Sequence, residues 1–469
     1  MQIFNTMTRK KEDFIPQEPG VYRIYVCGPT VYNYIHIGNA RPMIVFDTLR
    51  RYLEYLGNKV LYVSNITDID DKLIKKGQEN GTTMQEVARK FEAEYIKDSE
   101  GLNVKAPTVR PRATEHIGEI IKIVKDLVES GHAYVAHNGD VYFRVKSDPG
   151  YGKLSHLNLD DLESGNRELR SQMDDDLKED PADFAVWKAA KPGEPSWNSP
   201  WGQGRPGWHI ECSAMARKHL GKTIDLHAGG QDLIFPHHEN EIAQSECANG
   251  CTFSHYWMHN GYINIDNKKM SKSLGNFFTV REVAEQYGYE VIRYMMIQAH
   301  YRSPINYCKE LLDACKASLE RLYTCRNTLD RAIAAAPAGD CSEAAKELFA
   351  QREQQFITAM DDDLNTADGI TALFELAREL NRMSADATTP KGQLEAGAKL
   401  FDSLTDVLGI LYQRKQEDAI PAEVQTLIEE RAAARKAKNF AEADRLRDAI
   451  AALGYRVKET RQGTQIEKL

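Results

Sequence analysis

The stretch of the sequence from residue 21 to residue 63 constrains the fold more than any other. Residues 21–26, VYRIYV, are an uninterrupted apolar run rich in β-branched and aromatic side chains, which is typical of a buried strand. A helix pattern follows, because apolar residues recur along one helical face at Val45, Leu49, Tyr52, Leu53 and Leu56. Gly57 stands where helices are commonly capped, and residues 60–63 are a second apolar run. This order predicts a βαβ unit of a parallel sheet.

The connection between the first strand and the helix, CGPTVYNYIHIGN, holds residues that can bind a ligand. Open parallel sheets bind ligands beyond the ends of their strands, and helix N-termini attract phosphate. His36 and Gly38 lie in this connection. Cys27 is either a metal ligand or nucleophile or a small packing residue, and Asn39 is either a ligand contact or a helix cap. The short pattern leaves these alternatives open.

Composition restricts the kind of protein that this chain can be. A length of 469 residues is enough for several domains, and contents of 42% apolar and 28% charged residues are typical of soluble globular proteins. The net charge of −9 gives no overall attraction to nucleic acid, so such binding needs a local basic surface. The sequence has neither an apolar leader nor a run of roughly 18 apolar residues, and its eight cysteines show no regular spacing. We therefore expect a cytoplasmic chain with no membrane partner and with free or metal-bound thiols.

The remaining patterns predict an α/β fold that is split by an insertion and followed by helices. We expect residues 84–131 to be helical, residues 148–206 to be irregular, and Asn138–Gly139 to be the turn of a hairpin. A linker at 413–421 precedes a helical hairpin, and the whole segment 421–469 holds ten basic and eight acidic residues. The expected domains are the two halves of a Rossmann-like catalytic domain (1–114 and 206–260), an insertion between them (115–205), a lysine-containing loop region (261–306), a helical bundle (307–412) and a small C-terminal helical domain (421–469).

One group of residues can hold a metal ion. His237 and Glu241 are separated by one helical turn, so their side chains share a face, as in helical zinc sites. Cys27 and Cys212 each follow a strand-like run, one in each half of the sheet, and the ends of parallel strands converge at one edge. Two cysteines, one histidine and one glutamate around a single zinc ion are therefore geometrically possible.

Other residues near these positions are not assigned to the metal. We expect His238 and Glu239 to point away from the face that His237 and Glu241 share. Cys247 and Cys251 are also one turn apart, but they lie away from the predicted strand ends. The pattern therefore favours packing or solvent exposure for this second cysteine pair.

His36 and a polar loop with Lys269 and Lys272 can surround a triphosphate. Hydrogen-bond donors and positive charge stabilise an α-phosphate as it accepts a fifth oxygen. The sequence contains neither G-x-x-x-x-G-K-[ST] nor G-x-G-x-x-G, so P-loop and dinucleotide chemistry have no support. A lone K-x-x-K is usually solvated charge. The paired order, HIGN early and KMSKS late, is what favours a nucleotide site.

These segments resemble a known family. HIGN at 36–39 and KMSKS at 269–273 are similar to the paired signatures of class I aminoacyl-tRNA synthetases. Together, CGPTVYNYIHIGNAR, NITDIDDK, GWHIECSAM, FPHHENEIAQS and KMSKSLGNFFTV resemble the cysteinyl-tRNA synthetase family, and the resemblance extends through ARKAKNFAEADRLRD near the C-terminus. It implies a cytoplasmic, monomeric ligase that joins L-cysteine to tRNA(Cys), with Mg²⁺-bound ATP as the second substrate and cysteinyl-adenylate as the intermediate.

The resemblance also implies roles for individual residues. One zinc ion per chain would bind the substrate thiol, with protein ligands Cys27, Cys212, His237 and Glu241. The cysteine pocket would be lined by Thr67, Trp208 and His227. ATP would contact His36, Gly38, Asn39, Gly229, Gly230, Asp232, Lys269 and Lys272, and the catalytic residues among these would be His36, Asn39, Lys269 and Lys272.

The insertion would contact the acceptor end of the tRNA, the loop region and the bundle its stem, and the C-terminal domain its anticodon. Two positions depart from the family pattern. Asn39 replaces the usual histidine, and it can cap a helix but carries no charge. Gln465 stands where we expect an aromatic residue that stacks on a base.

Three other functions use similar residues. A ligase that joins cysteine to an amino-sugar would not need the basic C-terminal hairpin. A catalytically silent paralogue would not need His36, both lysines and all four metal ligands. A nucleotidyltransferase with only the first signature would be far shorter and would have no zinc ligands. These differences favour the tRNA ligase.

Overall fold

The computed structural model describes residues 1–157, 177–265, 268–269, 278–414, 422–460 and 463–468. The chain divides into two compact units, Met1–Tyr412 and Gln413–Leu469. No helix within the described ranges has the length and apolar content that a membrane span requires.

The first unit begins with strands β1 (Gln2–Asn5), β2 (Lys10–Asp13), β3 (Val21–Val26) and β4 (Lys59–Ser64) and helices α1 (Ile37–Tyr55), α2 (Asp71–Glu79) and α3 (Met84–Gly101). The insertion contains α4 (Ile117–Glu129) and strands β5 (Ala133–Val135), β6 (Val141–Phe143), β7 (Phe184–Ala189), β8 (Trp197–Ser199) and β9 (Gly202–Pro206). Next come α5 (Trp208–Leu220), β10 (Ile224–Gly230), α6 (Glu239–Asn249), β11 (Ser254–Asn260), β12 (Ile263–Ile265), β13 (Lys268–Lys269), α7 (Val280–Tyr287), α8 (Tyr289–Ile297) and β14 (Ile305–Tyr307). The helices α9 (Lys309–Ala335), α10 (Glu343–Asp361), α11 (Thr366–Ala385) and α12 (Lys391–Leu408) complete this unit.

A parallel sheet with the strand order β11–β10–β3–β4 forms the centre of the first unit. The predicted βαβ unit is confirmed, since α1 connects β3 to β4 and is followed by Gly57 at a φ of 86°. The two halves of the domain meet where β3 lies beside β10. Open α/β sheets bind ligands at such a reversal of strand order.

The insertion is more regular than the sequence predicts. Its strands form an antiparallel sheet in the order β5–β6–β7–β9–β8, and the hairpin at Asn138–Gly139 is confirmed. The expectation of irregular structure over 148–206 is wrong for β7, β8 and β9. Of these strands, β8 and β9 are short and rich in polar residues or glycine. The expected helix over 84–131 is also wrong in its middle, because Val109 and Arg112 pair with the end of β4 instead. Pro107 and Pro111 explain this, since a residue that precedes proline avoids the helical conformation.

The helical bundle is confirmed as α9 to α12. In the second unit, α13 (Ala422–Lys436) and α14 (Phe440–Ala452) form the predicted helical hairpin. Two antiparallel strands that the sequence analysis did not predict follow it, β15 (Tyr455–Thr460) and β16 (Gly463–Lys468). A small core of Val424, Ile450 and Tyr455 holds this unit together. Gln465 lies in β16, and its side chain is outside the described part of the structure.

A buried ion network fixes the helix that begins at the sheet edge. Asp47 of α1 is 2% exposed and accepts hydrogen bonds from Arg51 (2.8 Å), Arg293 (2.7 Å) and the backbone N–H of Lys105 (2.8 Å). Burial alone would raise the pKa of Asp47, but the two guanidinium groups outweigh it and lower that pKa. Because the folded pKa is depressed, this stabilisation is present at neutral pH and is lost only as the pH falls through the folded value.

We expect Asp47→Asn to lower the free energy of unfolding by about 3–5 kcal/mol at pH 7, because it leaves the buried guanidinium of Arg293 without a countercharge and leaves Arg51 with only the exposed Asp406. Urea unfolding measures this value. The matched control is Asp406→Asn, which removes a carboxylate that also pairs with Arg51 but is 71% exposed. This control should lower the free energy of unfolding by less than about 1 kcal/mol. An equal decrease in the two variants would contradict the role of the buried network.

Candidate active site

The carboxyl ends of β3 and β10 open into a cavity of about 570 Å³. The first half of the domain contributes Cys27, His36, Gly38, Asn39 and Thr67 to its lining, and the second half contributes Trp208, Cys212, Gly230, Asp232 and His237. Sequence positions more than 200 residues apart therefore share one cavity. This is the site that the sequence predicts at the split of the sheet.

Four potential metal ligands converge at the base of the cavity. The sulfurs of Cys27 and Cys212 are 3.9 Å apart, and Cys212 Sγ lies 3.7 Å from His237 Nε2. Glu241 Oε1 lies 3.0 Å from His237 Nε2 and 3.6 Å from Cys27 Sγ. All four ligand atoms lie within 4.8 Å of one another, and three of the four residues are buried.

These distances fit a zinc ion. Zn–S bonds of about 2.3 Å at tetrahedral angles place two sulfurs about 3.8 Å apart, and shorter Zn–N and Zn–O bonds bring those ligands closer together. A disulfide would require about 2.05 Å between the sulfurs. The cluster thus has the spacing of thiolate ligands around a common centre.

A second set of potential ligands overlaps the first. It consists of Cys27, His227, His238 and Glu241. The expectation that His238 points away from the cluster is wrong, because its Nε2 lies 3.3 Å from Cys27 Sγ. The backbone of Ile234–His238 is kinked at Phe235, whose φ of −137° and ψ of 135° are extended, and the two successive histidines that follow both lie beside the cluster.

The hydrogen bond between His227 and Glu241 and the lining of the cavity favour the first set. His237 Nδ1 lies 2.9 Å from His209 Nδ1, which leaves Nε2 directed at the cluster, as is usual for a metal-ligating histidine. His227 Nε2 lies 2.8 Å from Glu241 Oε2, which leaves Oε1 for a metal. Cys27, Cys212 and His237 line the cavity. A metal held by the first set can therefore reach a substrate, with His209 and His227 orienting its ligands.

Negative charge is concentrated in this cluster. The hydrogen bond from Cys27 lowers the pKa of Cys212 to about 6, while burial raises the pKa of Cys27. Burial would raise the pKa of Glu241, but His227 and His237 lower it to about 2. The site therefore presents a thiolate and a carboxylate, which are the forms that bind cations.

Cys212 occupies an unexpected position. It is not at the end of a strand, as predicted, but in the second turn of α5, which begins at Trp208 directly after Gly207. Helix α5 packs on the sheet and brings Cys212 to the ends of the strands. His209 lies three residues earlier on the same helix face, and this spacing is the signal that could have identified it.

The residues expected to contact cysteine have different environments. Trp208 is 41% exposed, and its ring centre lies 4.3 Å from that of His237 at the cavity wall. Thr67 also lines the cavity, and its hydroxyl donates to Glu211 (3.1 Å). His227 is fully buried behind Glu241 and stacks on Trp257. Its environment suits the orientation of Glu241 rather than direct contact with a ligand.

Two further polar residues, Asn65 and Glu211, lie beside Thr67 and were not predicted as site residues from the sequence. Asn65 accepts from the backbone N–H of Gly28 (2.9 Å) and donates to the Thr67 hydroxyl (3.2 Å). Glu211 is 1% exposed, and burial raises its pKa well above the usual value. This chain of hydrogen bonds fixes Thr67 relative to the end of β3.

The other end of the cavity is formed by the start of α1. His36 precedes the helix, and the side-chain oxygen of Asn39 accepts from the His36 backbone N–H (3.2 Å), so Asn39 acts as a helix cap. The segment that follows the KMSKS sequence lies beside this turn, since Ile37 N–H donates to Phe278 O (3.1 Å) and Val280 N–H donates to Ile35 O (2.9 Å). The described residues that follow the second signature, Phe278 to Val280, are therefore neighbours of the first signature.

The remaining expected nucleotide contacts lie at the end of β10 and beyond. A side chain at Gly229 would meet Leu233 and His238 at about 3 Å, so it would require these two side chains to shift. Gly230 and Asp232 line the cavity. Lys269 lies in β13, but its side chain is outside the described part of the structure, as is the whole of Lys272.

Comparison with known proteins identifies the family. The model described as tRNA synthetases class I (C) catalytic domain matches residues 13–317, the DALR domain matches 355–413, and the Cysteinyl-tRNA ligase anticodon binding domain matches 417–466. The chain is 53% identical to the cysteine–tRNA ligase of Caldicellulosiruptor saccharolyticus over 100% of both chains. It is 51% identical to that of Symbiobacterium thermophilum over 99% of both.

Solved structures agree at the level of the fold. Mycobacterium tuberculosis methionyl-tRNA synthetase in complex with methionyl-adenylate matches with a TM-score of 0.60 at 13% identity, covering 83% of this chain and 90% of that one. The LeuRS–tRNA–LeuAMS complex of Agrobacterium radiobacter K84 matches with a TM-score of 0.59 at 12% identity, covering 85% of each chain. These matches confirm the class I synthetase fold that the sequence predicts. Since the catalytic-domain model covers more than half of the chain and the cysteine–tRNA ligases match it from end to end, the chain belongs to the class I cysteine–tRNA ligase family.

Proposed function

We propose that this cysteine–tRNA ligase binds one zinc ion through Cys27, Cys212, His237 and Glu241 and selects the thiol of L-cysteine at that ion. The convergence of these four side chains at the base of the cavity carries the proposal. Zinc, when bound, favours a soft thiolate over a hydroxyl and lowers the thiol pKa. Serine differs from cysteine only in this one atom, so ordinary packing would separate the two amino acids poorly.

The positions of the lining residues along the cavity support a spatial arrangement of the two substrates. Cysteine would bind at the metal end beside Thr67 and Trp208, with His227 holding Glu241 in place. ATP would lie toward Gly230 and Asp232, with Gly229 kept small by close packing against its neighbours. The cysteine carboxylate and the α-phosphate would then meet near the start of α1.

In the first step, a carboxylate oxygen of cysteine attacks the α-phosphorus of Mg²⁺-bound ATP, and pyrophosphate leaves. His36 at the start of α1, together with Lys269 and Lys272, stabilises the charge that develops on the phosphate. Asn39 contributes by capping the turn that holds His36, which keeps this histidine at the helix N-terminus. Cys27 and Cys212 act as ligands rather than as nucleophiles.

In the second step, a ribose hydroxyl at the 3′ end of tRNA(Cys), expected to be the 2′-hydroxyl, attacks the mixed anhydride and releases AMP. We assign the insertion to the acceptor end of the tRNA, the loop region and bundle to its stem, and the C-terminal unit to its anticodon. The match of residues 417–466 to an anticodon-binding domain supports the last assignment and disfavours an amino-sugar acceptor. The protein is proposed to work as a cytoplasmic monomer.

Cysteine-dependent exchange of pyrophosphate into ATP tests the first step without tRNA. We expect exchange with cysteine and at least roughly 10³-fold lower kcat/KM with serine, because only the thiol is a good zinc ligand. Alanine serves as a control that lacks both groups and should resemble serine. Comparable exchange with serine and cysteine would contradict selection at a metal.

A further inference from the structure

Arg41 is a fully buried cation in the second turn of α1, and its contacts are unusual. Its Nη1 donates to the carbonyl oxygens of Gly261 (2.8 Å) and Tyr262 (3.0 Å). Its Nη2 donates to the carbonyl oxygens of His300 (3.3 Å) and Ser303. Burial lowers the pKa of Arg41 to about 10, and the hydrogen bonds of its guanidinium within the described residues all go to backbone carbonyl oxygens. The guanidinium therefore binds the backbone of two segments, at residues 261–262 and 300–303, rather than neutralising a carboxylate.

The backbone that Arg41 holds is a wall of the cavity. Gly261 and Tyr262, with their neighbours Asn260 and Ile263, line the cavity at the end that also contains Gly230 and Asp232. The packing of this wall is tight, because a side chain at Gly261 would lie 2.5 Å from the carbonyl oxygen of Arg302. A small displacement of this segment would therefore change the shape of that end of the cavity.

The helix that carries Arg41 also carries the turn that contacts phosphate. His36 precedes α1, and residues after the second signature pair with this turn through the hydrogen bonds of Ile37 with Phe278. Arg41 is only one turn further along the same rigid helix. It thus sets the distance between the phosphate-binding turn and the opposite wall of the cavity.

We infer that Arg41 is a positioning residue for ATP, which it serves by fixing the wall at Gly261 and Tyr262 relative to His36. This inference rests on the proposed placement of ATP in the cavity. Arg41 has no contact with the metal cluster, so the cysteine end of the cavity should be independent of it. The expected consequence of its loss is a defect specific to ATP.

Pyrophosphate exchange with Arg41→Gln tests the inference at a temperature where the variant is folded by circular dichroism. We expect the KM for ATP to rise about tenfold or more and the KM for cysteine to change less than twofold. Arg41→Lys retains the charge but can satisfy fewer carbonyl groups, so it should be intermediate. A general loss of folding would instead reduce the active fraction and lower kcat without separating the two KM values.

Two further variants complete the test. Arg293→Gln is the matched control, since Arg293 is equally buried and donates to Asp47 and to the carbonyl groups of Leu408, Leu102 and Asn103, none of which lines the cavity. It should lower thermal stability and leave the KM for ATP unchanged. Gly261→Ala should displace the same wall and reproduce the ATP-specific defect without removing a buried charge.

Equal changes in both KM values for Arg41→Gln, or an equal rise in the KM for ATP with Arg293→Gln, would overturn the inference. If Arg41→Gln does not fold, an unchanged KM for ATP in Gly261→Ala would also overturn it. Absence of cysteine-dependent exchange in the unmodified protein would contradict the proposed function instead, so the two failures are distinguishable.

Discussion

Replacing Cys212 with serine is expected to remove zinc from the protein and to lower the kcat/KM for cysteine in pyrophosphate exchange by about 10³-fold, because a hydroxyl is a poor substitute for a thiolate ligand. Cys212 is 2% exposed, and it is the member of the cysteine pair whose pKa is lowered, to about 6. The substitution changes one atom and leaves the packing of α5 intact. Metal content by mass spectrometry and cysteine binding by calorimetry measure the effect directly.

Cys315→Ser is the matched control for this substitution. Cys315 is also 2% exposed, but it packs in the helical bundle, and burial raises its pKa to about 12. Serine there buries a hydroxyl and should cost about 1–3 kcal/mol of stability, with one zinc ion per chain and normal exchange retained. Full zinc content in Cys212→Ser, or zinc loss in Cys315→Ser, would remove Cys212 from the set of ligands.

The central fold could be predicted because its signals are local. The apolar run of β3, the helical face of α1 and the cap at Gly57 are each visible within a few residues, and together they determine a βαβ unit. The bundle helices are long and periodic in the same way. By contrast, β6 and β7 of the insertion are far apart in the sequence, and their pairing has no local signature.

The sequence was sufficient to predict the four potential metal ligands, but not the surrounding residues and backbone that position them. Cys27, Cys212, His237 and Glu241 converge as expected, yet Cys212 does so from a helix rather than a strand. His238 approaches the cluster after a backbone kink at Phe235 that residue spacing cannot reveal. Residues such as Glu211 gain their importance from burial and from partners distant in sequence, and neither is visible before the chain is folded. The same holds for the carbonyl contacts of Arg41.

Because the C-terminal unit has a core of its own, its removal is expected to affect tRNA charging and not adenylate formation. A chain that ends at Tyr412 is expected to retain cysteine-dependent pyrophosphate exchange within about twofold, and to lose about 100-fold or more in kcat/KM for tRNA(Cys) charging. The catalytic unit builds its core from its own residues, whereas the second unit has a core of Val424, Ile450 and Tyr455. Exposed lysines at 436 and 438 give the second unit the charge that a phosphate backbone attracts. Side-by-side exchange and aminoacylation assays measure the two activities.

A charge substitution in the full-length chain separates the loss of contact from the loss of structure. Lys436→Gln together with Lys438→Gln should weaken charging and make it less sensitive to salt, because each lost phosphate contact reduces the number of released counterions. Lys97→Gln, an exposed lysine on α3, is the matched control and should leave both activities unchanged. If the shortened chain loses exchange as well as charging while its thermal unfolding is unchanged, the C-terminal unit must contribute to adenylate formation, and its assignment to the anticodon alone would be wrong.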